Sequence, residues 1–454
     1  MIVMMKAQKA ILSLFQSKEL IDKDKCLEYI EGYTDDLYSG MNVDIKFKHS
    51  LYNVVKHKDR TYLIYNTLFN SMITLSDTEY EQYEKINFSE LFLIGNLVDN
   101  GFLLPVSIDE FERYNYYKDI LINKMTLKNH NHYTVAVTSK CNARCFYCYE
   151  KGINYKDMSL DTADRLAELI VRSKKEADIT WFGGEPLLKT DIISYVSEYL
   201  RNHNKEFNST IITNGSLLSE DMIKNKFSEW NVNGVQITLD GMKEEYLKRK
   251  CYCCGKDDVF DNVIKNIGLL AENEINVSVR LNIDKNNYED CYKAAVFLKE
   301  IFRDIPYINV YPAFLYQHQN SLSSEYDRLA CSSMIYKLYN PEFSIMSWYP
   351  KVNQCFINQQ GAFVIDTDGG ILACDGDVGK QKTKFSDVFS ADNFDNLEKP
   401  DTVIPEVREM CRTCKFYPKC GGGCASSYGS SCEYDACFMA RYETEYLIDQ
   451  LINS

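Results

Sequence analysis

With 454 residues, 45% of them hydrophobic and 26% charged, the chain is long enough to fold as two to four domains, each with its own core. A net charge of −14 argues against bulk attraction to nucleic acid, and no run of about 18 apolar residues offers a membrane-spanning helix. Seventeen cysteines against six histidines favour thiolate–metal chemistry over histidine-based zinc catalysis.

The opening "MIVMMKAQKAILSLFQSKELIDKD" lacks a clean apolar stretch followed by a small-residue cleavage site. No signal peptide is therefore expected, and the chain reads as cytoplasmic, where disulfide staples are disfavoured. Residues 1–42 read as a helical extension, with the helix over 6–32. Residues 43–120 carry three strand-like runs, "SLYNVVKH", "TYLIYNT" and "SMITLS", then two helical ones, "DTEYEQYEKI" and "FSELFLIGNLVDNGFLL". Three strands followed by helices suggest a small winged-helix-like module.

From 133 onward strands alternate with helices. Strands are expected at 133–138, 178–183, 209–214, 234–240, 275–283 and 307–312, with amphipathic helices near 159–175, 190–204, 219–229, 258–273 and 287–303. Six βα units with apolar strands predict an α/β fold over 121–320, a parallel sheet curled into a full or partial barrel. Residues 321–354 are Ser- and Tyr-rich and read as a connector; 355–454 are cysteine-dense and loop-rich.

The first chemical signal is "TSKCNARCFYCYEKG", which places Cys141, Cys145 and Cys148 in the loop after the first barrel strand. That loop lies at the C-terminal edge of the sheet, where βα folds gather their reactive groups. Three thiolates can hold three irons of a four-iron cubane and leave the fourth open to a small molecule. The competing readings are a zinc knuckle or cysteines buried for packing.

The CxxxCxxC spacing in "CNARCFYC", placed after strand one of six βα units, resembles the signature of radical S-adenosylmethionine enzymes. The resemblance implies a partial (β/α)6 radical SAM barrel. It also implies a [4Fe-4S] cluster whose open iron chelates S-adenosylmethionine, and reductive cleavage of that molecule to a 5′-deoxyadenosyl radical. "GGEP" (Gly183, Gly184, Glu185, Pro186) ends strand two, where the family holds the methionyl amino group and where glycines allow close backbone approach. "TNG" (with Asn214) ends strand three and "TLDG" (with Thr238) ends strand four; by resemblance Thr238 and a following basic residue, Arg249, touch the cofactor carboxylate.

Near the C-terminus, Cys355, the G-x4-C of Gly369 and Cys374, then Cys411, Cys414, Cys420, Cys424, Cys432 and Cys437 follow one another. In isolation CxxC-x5-CxxxC reads equally as a zinc ribbon. The whole order resembles the SPASM extension of radical S-adenosylmethionine enzymes, which implies two auxiliary [4Fe-4S] clusters. By that resemblance Cys411, Cys414, Cys420 and a late cysteine, Cys437, hold the outer cluster, and Cys355, Cys374 and Cys424 the inner one. The additional cysteine of the fully ligated sulfatase-maturase form is missing, so either Cys432 completes the inner cluster or one iron is open. Asp375 matches an acidic residue implicated as a base in sulfatase maturases; a loop aspartate capping backbone amides is the alternative. "CYCC" (Cys251, Cys253, Cys254) reads as a solvent-facing loop, with a redox-active thiol set as the alternative.

The N-terminal module loosely resembles the leader-recognition element of ribosomal-peptide maturases, which binds a leader by strand addition. Together these resemblances imply a maturase of a ribosomally synthesised precursor peptide. It would abstract a carbon-bound hydrogen and install a cross-link, a cysteine thioether, with an electron donor such as flavodoxin or ferredoxin. An oxidase forming formylglycine on a protein cysteine or serine is the second enzymatic reading, and a zinc-containing peptide-binding scaffold the non-enzymatic one. Neither a nucleic-acid nor a membrane partner is expected.

Overall fold

The computed structural model describes residues 46–88, 91–125, 130–253, 258–303, 305–315, 323–340, 355–400, 407–423 and 436–453. The helix expected over 6–32 lies outside them.

The N-terminal module is a three-stranded antiparallel meander, β2 (Asn53–Lys58), β3 (Thr61–Asn66) and β4 (Ser71–Ser76), preceded by a short strand, β1 (Phe47–His49). Asp59 and Asn70 take positive φ at the two turns, a conformation their short polar side chains tolerate. Ser76 and Glu79 form a capping box that starts α1 (Asp77–Lys85). The run from 88 to 104, expected to be one helix, is α2 (Leu91–Asp99) followed by β5 (Leu103–Pro105), which pairs with β1. Gly101 at φ +77° turns the chain between them, a helix-ending conformation that glycine adopts without a Cβ penalty. Leu63, Ile64 and Tyr65 are all buried although they are consecutive in a strand. Both faces of the sheet are covered: Ile64 packs with Leu97 and Phe102, while Leu63 and Tyr65 pack with Leu447 and Ile448 of the last helix, α10 (Ala436–Asn453). A helix that sequence patterning missed, α3 (Glu110–Met125), ends the module.

The centre is a parallel sheet of β6 (His130–Thr138), β7 (Glu176–Gly183), β8 (Phe207–Thr213), β9 (Val232–Leu239), β10 (Asn276–Ile283) and β11 (Ile308–Phe314), in that spatial order. The six expected strands are all present. Covering helices are α4 (Leu160–Arg172), α5 (Thr190–Asn202), α6 (Lys243–Lys250), α7 (Val259–Glu272) and α8 (Tyr288–Ile301). The helix expected at 219–229 is a π-helical turn, Met222–Lys226, running into Phe227–Glu229, and α6 was not foreseen. Strand residues such as Trp181, Ile211, Val235 and Val279 and helix residues such as Leu166, Val196 and Ile267 form one core, each large apolar side chain contributing about 1.5–3 kcal/mol.

Residues 323–339, read above as a connector, form α9 (Ser323–Tyr339). Its buried residues include Arg328, Leu329, Cys331, Ser332, Ser333 and Ile335, a set that is half polar and wider than one stripe, and so invisible to hydropathy patterning. The cysteine-dense region is also not purely loop: β12 (Ala362–Ile365) pairs parallel with β6, and β13 (Gly370–Leu372) and β14 (Lys384–Asp387) follow antiparallel. The barrel sheet thus runs on to nine strands, with Cys374 two residues beyond the end of β13. Among the described residues no helix is long and apolar enough to cross a membrane.

Candidate functional site

The loop from β6 carries Cys141, Cys145 and Cys148 and rests on the ends of β7 and β8. Gly184 N–H donates to the Thr138 carbonyl and Glu185 N–H to the Lys140 carbonyl, each at 2.9 Å. A Cβ on Gly183 would stand 2.0 Å from the Thr138 oxygen and one on Gly184 2.4 Å from the Lys140 oxygen. The two glycines are therefore required for seating the cysteine loop itself. Glu185, fully buried, accepts from the Thr213 hydroxyl at 2.7 Å, from Leu187 N–H at 3.1 Å and from Asn214 N–H at 2.9 Å. Burial raises its pKa, and these three donors oppose the rise. Pro186 opens the 3-10 turn Pro186–Lys189. Asn214 reaches the loop, its amide donating to Asn142 Oδ1 at 2.8 Å and lying 4.0 Å from the Cys141 sulfur.

Burial pushes the Cys141 thiol up to about 12, and Glu185, Cys145 and Cys148 add to the rise. Cys145 and Cys148 are raised as well, chiefly by burial. Among the described residues, no three Cys, His, Asp or Glu side chains close around a single ion.

The opposite wall comes from β9, β10 and α6. The Tyr147 hydroxyl donates to Asp240 Oδ2 at 2.6 Å and accepts from Lys250 Nζ at 3.2 Å and Asn282 Nδ2 at 3.3 Å. Lys250 Nζ also donates to Thr238 Oγ1 at 2.6 Å and lies 3.5 Å from Asp240 Oδ2. Burial pulls the Lys250 pKa down, but Asp240, Tyr147 and Cys145 together hold it well above the ordinary lysine value. The basic residue on Thr238 is thus Lys250, one position beyond Arg249. Arg249 is committed elsewhere: its guanidinium pairs with buried Asp284 at 2.7 Å and lies 4.8 Å from the Phe146 ring. Asp240 Oδ1 and Arg249 Nε are buried and find no hydrogen-bond partner among the described residues. An orphan acceptor and an orphan donor beside a thiol triplet fit a site that receives a polar, charged cofactor.

The "CYCC" segment is not a detached loop. Tyr252 bridges Ala143, Cys253 N–H donates to the Asn142 carbonyl at 2.9 Å and Arg144 N–H to the Lys250 carbonyl at 2.9 Å. Cys251 and Cys253 are exposed, yet the backbone around them is bonded to Asn142, Ala143 and Arg144 between Cys141 and Cys145. Cys254 lies outside the described residues.

In the C-terminal region Cys355 and Cys374 converge near buried Lys399, whose Nζ bonds the Phe356 and Gln359 carbonyls. Burial lowers the Lys399 pKa to about 8, opposed by Cys355 and Cys374. Asp375 is exposed, and its Oδ1 accepts from Gly376 N–H at 2.9 Å. Cys411, Cys414 and Cys420 share one loop packed on the N-terminal module. Cys424 and Cys432 lie outside the described residues, as does the side chain of Cys437, whose backbone belongs to α10.

Residues 135–298 match the sequence model of the Radical SAM superfamily. The chain is 25% identical over 358 residues to the cysteine-type anaerobic sulfatase-maturating enzyme of Clostridium perfringens, spanning 70% of this chain and 95% of that enzyme. It is 24% identical over 263 residues to the radical SAM cyclopropyl synthase TigE of Paramaledivibacter caminithermalis, spanning 53% of this chain and 54% of TigE. The solved structure of native anSMEcpe with bound AdoMet and Cp18Cys peptide shares the fold, with a TM-score of 0.57 at 21% identity over 71% of this chain and 98% of that one.

Proposed function

We propose, from the premise that this chain is a radical S-adenosylmethionine superfamily enzyme of the maturase type, that it installs a cross-link, a cysteine thioether, in a ribosomally made precursor peptide. The observation that carries the peptide substrate is the N-terminal sheet: β4 has a strand partner on one side alone among the described residues, with Met72, Thr74 and Ser76 exposed along it. Such an edge offers main-chain donors and acceptors to an added strand, the mode by which leader peptides can dock.

Cys141, Cys145 and Cys148 would hold the radical cluster, and the ends of β7 to β10 would seat S-adenosylmethionine. When bound, these groups would supply the radical chemistry that removes one carbon-bound hydrogen; forming the thioether would also release the thiol proton and one electron, for which the auxiliary clusters would offer a sink. The chain's own part is positional. Glu185 and Asn214 fix the loop, Lys250 brings a positive charge to the strand ends for a carboxylate, and the Tyr147 hydroxyl links loop and wall. Cys355, Cys374, Cys411, Cys414, Cys420, Cys424, Cys432 and Cys437 would carry the auxiliary clusters, and Asp375 stands beside Cys374 as a candidate base. Flavodoxin or ferredoxin would supply the electron.

The likeness to the sulfatase-maturating enzyme supports a second reading, an oxidase forming formylglycine. Anaerobic co-expression with a cysteine-bearing precursor separates them. A peptide loss of two hydrogens that requires the leader supports the cross-linking reading. Leader-independent conversion of a short sulfatase-type peptide supports the other.

A further inference from the structure

We infer that the N-terminal module is a wall of the outer auxiliary-cluster site and controls how firmly that cluster is held, through a clamp on Tyr417. The inference rests on the reading that Cys411, Cys414 and Cys420 carry this cluster. Tyr417 lies midway between Cys414 and Cys420 and is fully buried. Among the described residues, α3 supplies four of its neighbours. Phe111 and Tyr114 pack on its ring at centroid distances of 5.1 and 5.4 Å, its hydroxyl donates to Asn115 Oδ1 at 2.6 Å, and Lys118 Nζ donates to that hydroxyl at 3.1 Å. Phe111, Tyr114, Asn115 and Lys118 stand at i, i+3, i+4 and i+7, so one stripe of α3 meets this side chain of the cysteine loop.

The same loop is held at further points. Arg412 pairs with Glu112 at 2.5 Å and lies 4.8 Å from the Phe111 ring, and Lys419 Nζ donates to Asn70 Oδ1 at 3.0 Å. Cys411 is buried within the same apolar cluster as Tyr52, Phe69 and Tyr114. Beside the clamp lies a cavity of about 500 Å³ lined by Lys48, His49, Asp109, Phe111, Arg412 and Thr413. Removing the clamp therefore joins the cysteine loop to space already open to water. The packing and solvent access around an iron–sulfur cluster set both its retention and its potential.

The test uses full-length protein, reconstituted anaerobically, and follows iron release to a chelator together with the reduced-cluster EPR spectrum. Phe111→Ala/Asn115→Leu changes only the module. It is expected to release about four irons per chain, one cluster's worth, at least tenfold faster than wild type and to alter one EPR component while the others persist. Tyr417→Phe, which keeps the ring and loses the two hydroxyl bonds, should fall between, and Tyr417→Leu should match the module variant. Cys414→Ala is the control on the underlying reading: it should lower iron by the same amount. If Cys414→Ala lowers iron but the module variant and Tyr417→Leu release it at the wild-type rate with an unchanged spectrum, the clamp is wrong and the cluster reading stands. If Cys414→Ala leaves iron unchanged, the cluster reading fails and the clamp with it.

Discussion

Glu185 accepts the Thr213 hydroxyl at 2.7 Å and so ties the end of β7 to the end of β8 directly beneath the cysteine loop. Because the same carboxylate takes Leu187 N–H and Asn214 N–H, Glu185 acts as a joint between two motifs, "GGEP" and "TNG", that the sequence shows only as separate signals. Glu185→Ala would strand three donors in a buried site, each worth about 1–3 kcal/mol. We expect a loss of about 3 kcal/mol or more in denaturant unfolding and a lower iron content. Glu185→Gln, which retains one acceptor oxygen, should lose roughly half as much.

The close approach of Gly184 to Lys140 gives a second expectation. A Cβ there meets a backbone oxygen at 2.4 Å, which no rotamer change relieves. Gly184→Ala should displace the Cys141 loop and depress 5′-deoxyadenosine formation at least tenfold, while the thermal transition falls only modestly. Equal turnover by wild type and variant would show that the loop does not depend on this contact.

Lys250 and Asp240 form a buried charge pair with Tyr147 between them. Lys250→Met should destabilise the fold by about 3–5 kcal/mol, because it leaves buried Asp240 without the ammonium paired with it. The double variant Lys250→Met/Asp240→Asn should recover much of that stability. Its affinity for S-adenosylmethionine, measured by equilibrium dialysis, should stay at least tenfold weaker than wild type. Recovery of affinity along with stability would assign Lys250 a purely structural role.

His132 sits on the seam between β6 and β12, its ring 5.0 Å from Phe356, with Nε2 3.1 Å from Thr180 Oγ1. Burial lowers its pKa, opposed by Asp178 and aided by His130. A histidine whose folded pKa is depressed contributes stability above its unfolded value, near 6.5, and loses it as pH falls through the folded value. Between pH 7 and pH 5 the wild type should therefore lose more stability than His132→Gln, in melting curves followed across that range. Parallel curves would remove His132 from the acid limb.

How much of this could be read from the chain itself differs by level. The parallel strands were legible because buried β-strands are continuous apolar runs, and Cys141, Cys145 and Cys148 because soft ligands at close spacing have few other uses. What stayed hidden depended on tertiary partners. Arg249 and Lys250 are adjacent and chemically alike, and only the phase of α6, ended by Cys251 at φ 48°, decides which amine meets Thr238. The stripe Phe111, Tyr114, Asn115 and Lys118 has helical spacing, but its mixed polarity is explained by partners distant in sequence, Tyr417 among them. Likewise β12 joins the barrel through backbone pairing with β6, and backbone pairing across more than 200 residues leaves no mark in the pattern of side chains.

The most direct test of the central claim is the release of methionine and 5′-deoxyadenosine from S-adenosylmethionine by anaerobically purified protein under dithionite. The account expects both products from wild type, with iron and labile sulfide present, and neither from Cys141→Ala/Cys145→Ala/Cys148→Ala. Bound zinc without labile sulfide, or cleavage that survives the triple substitution, would contradict it.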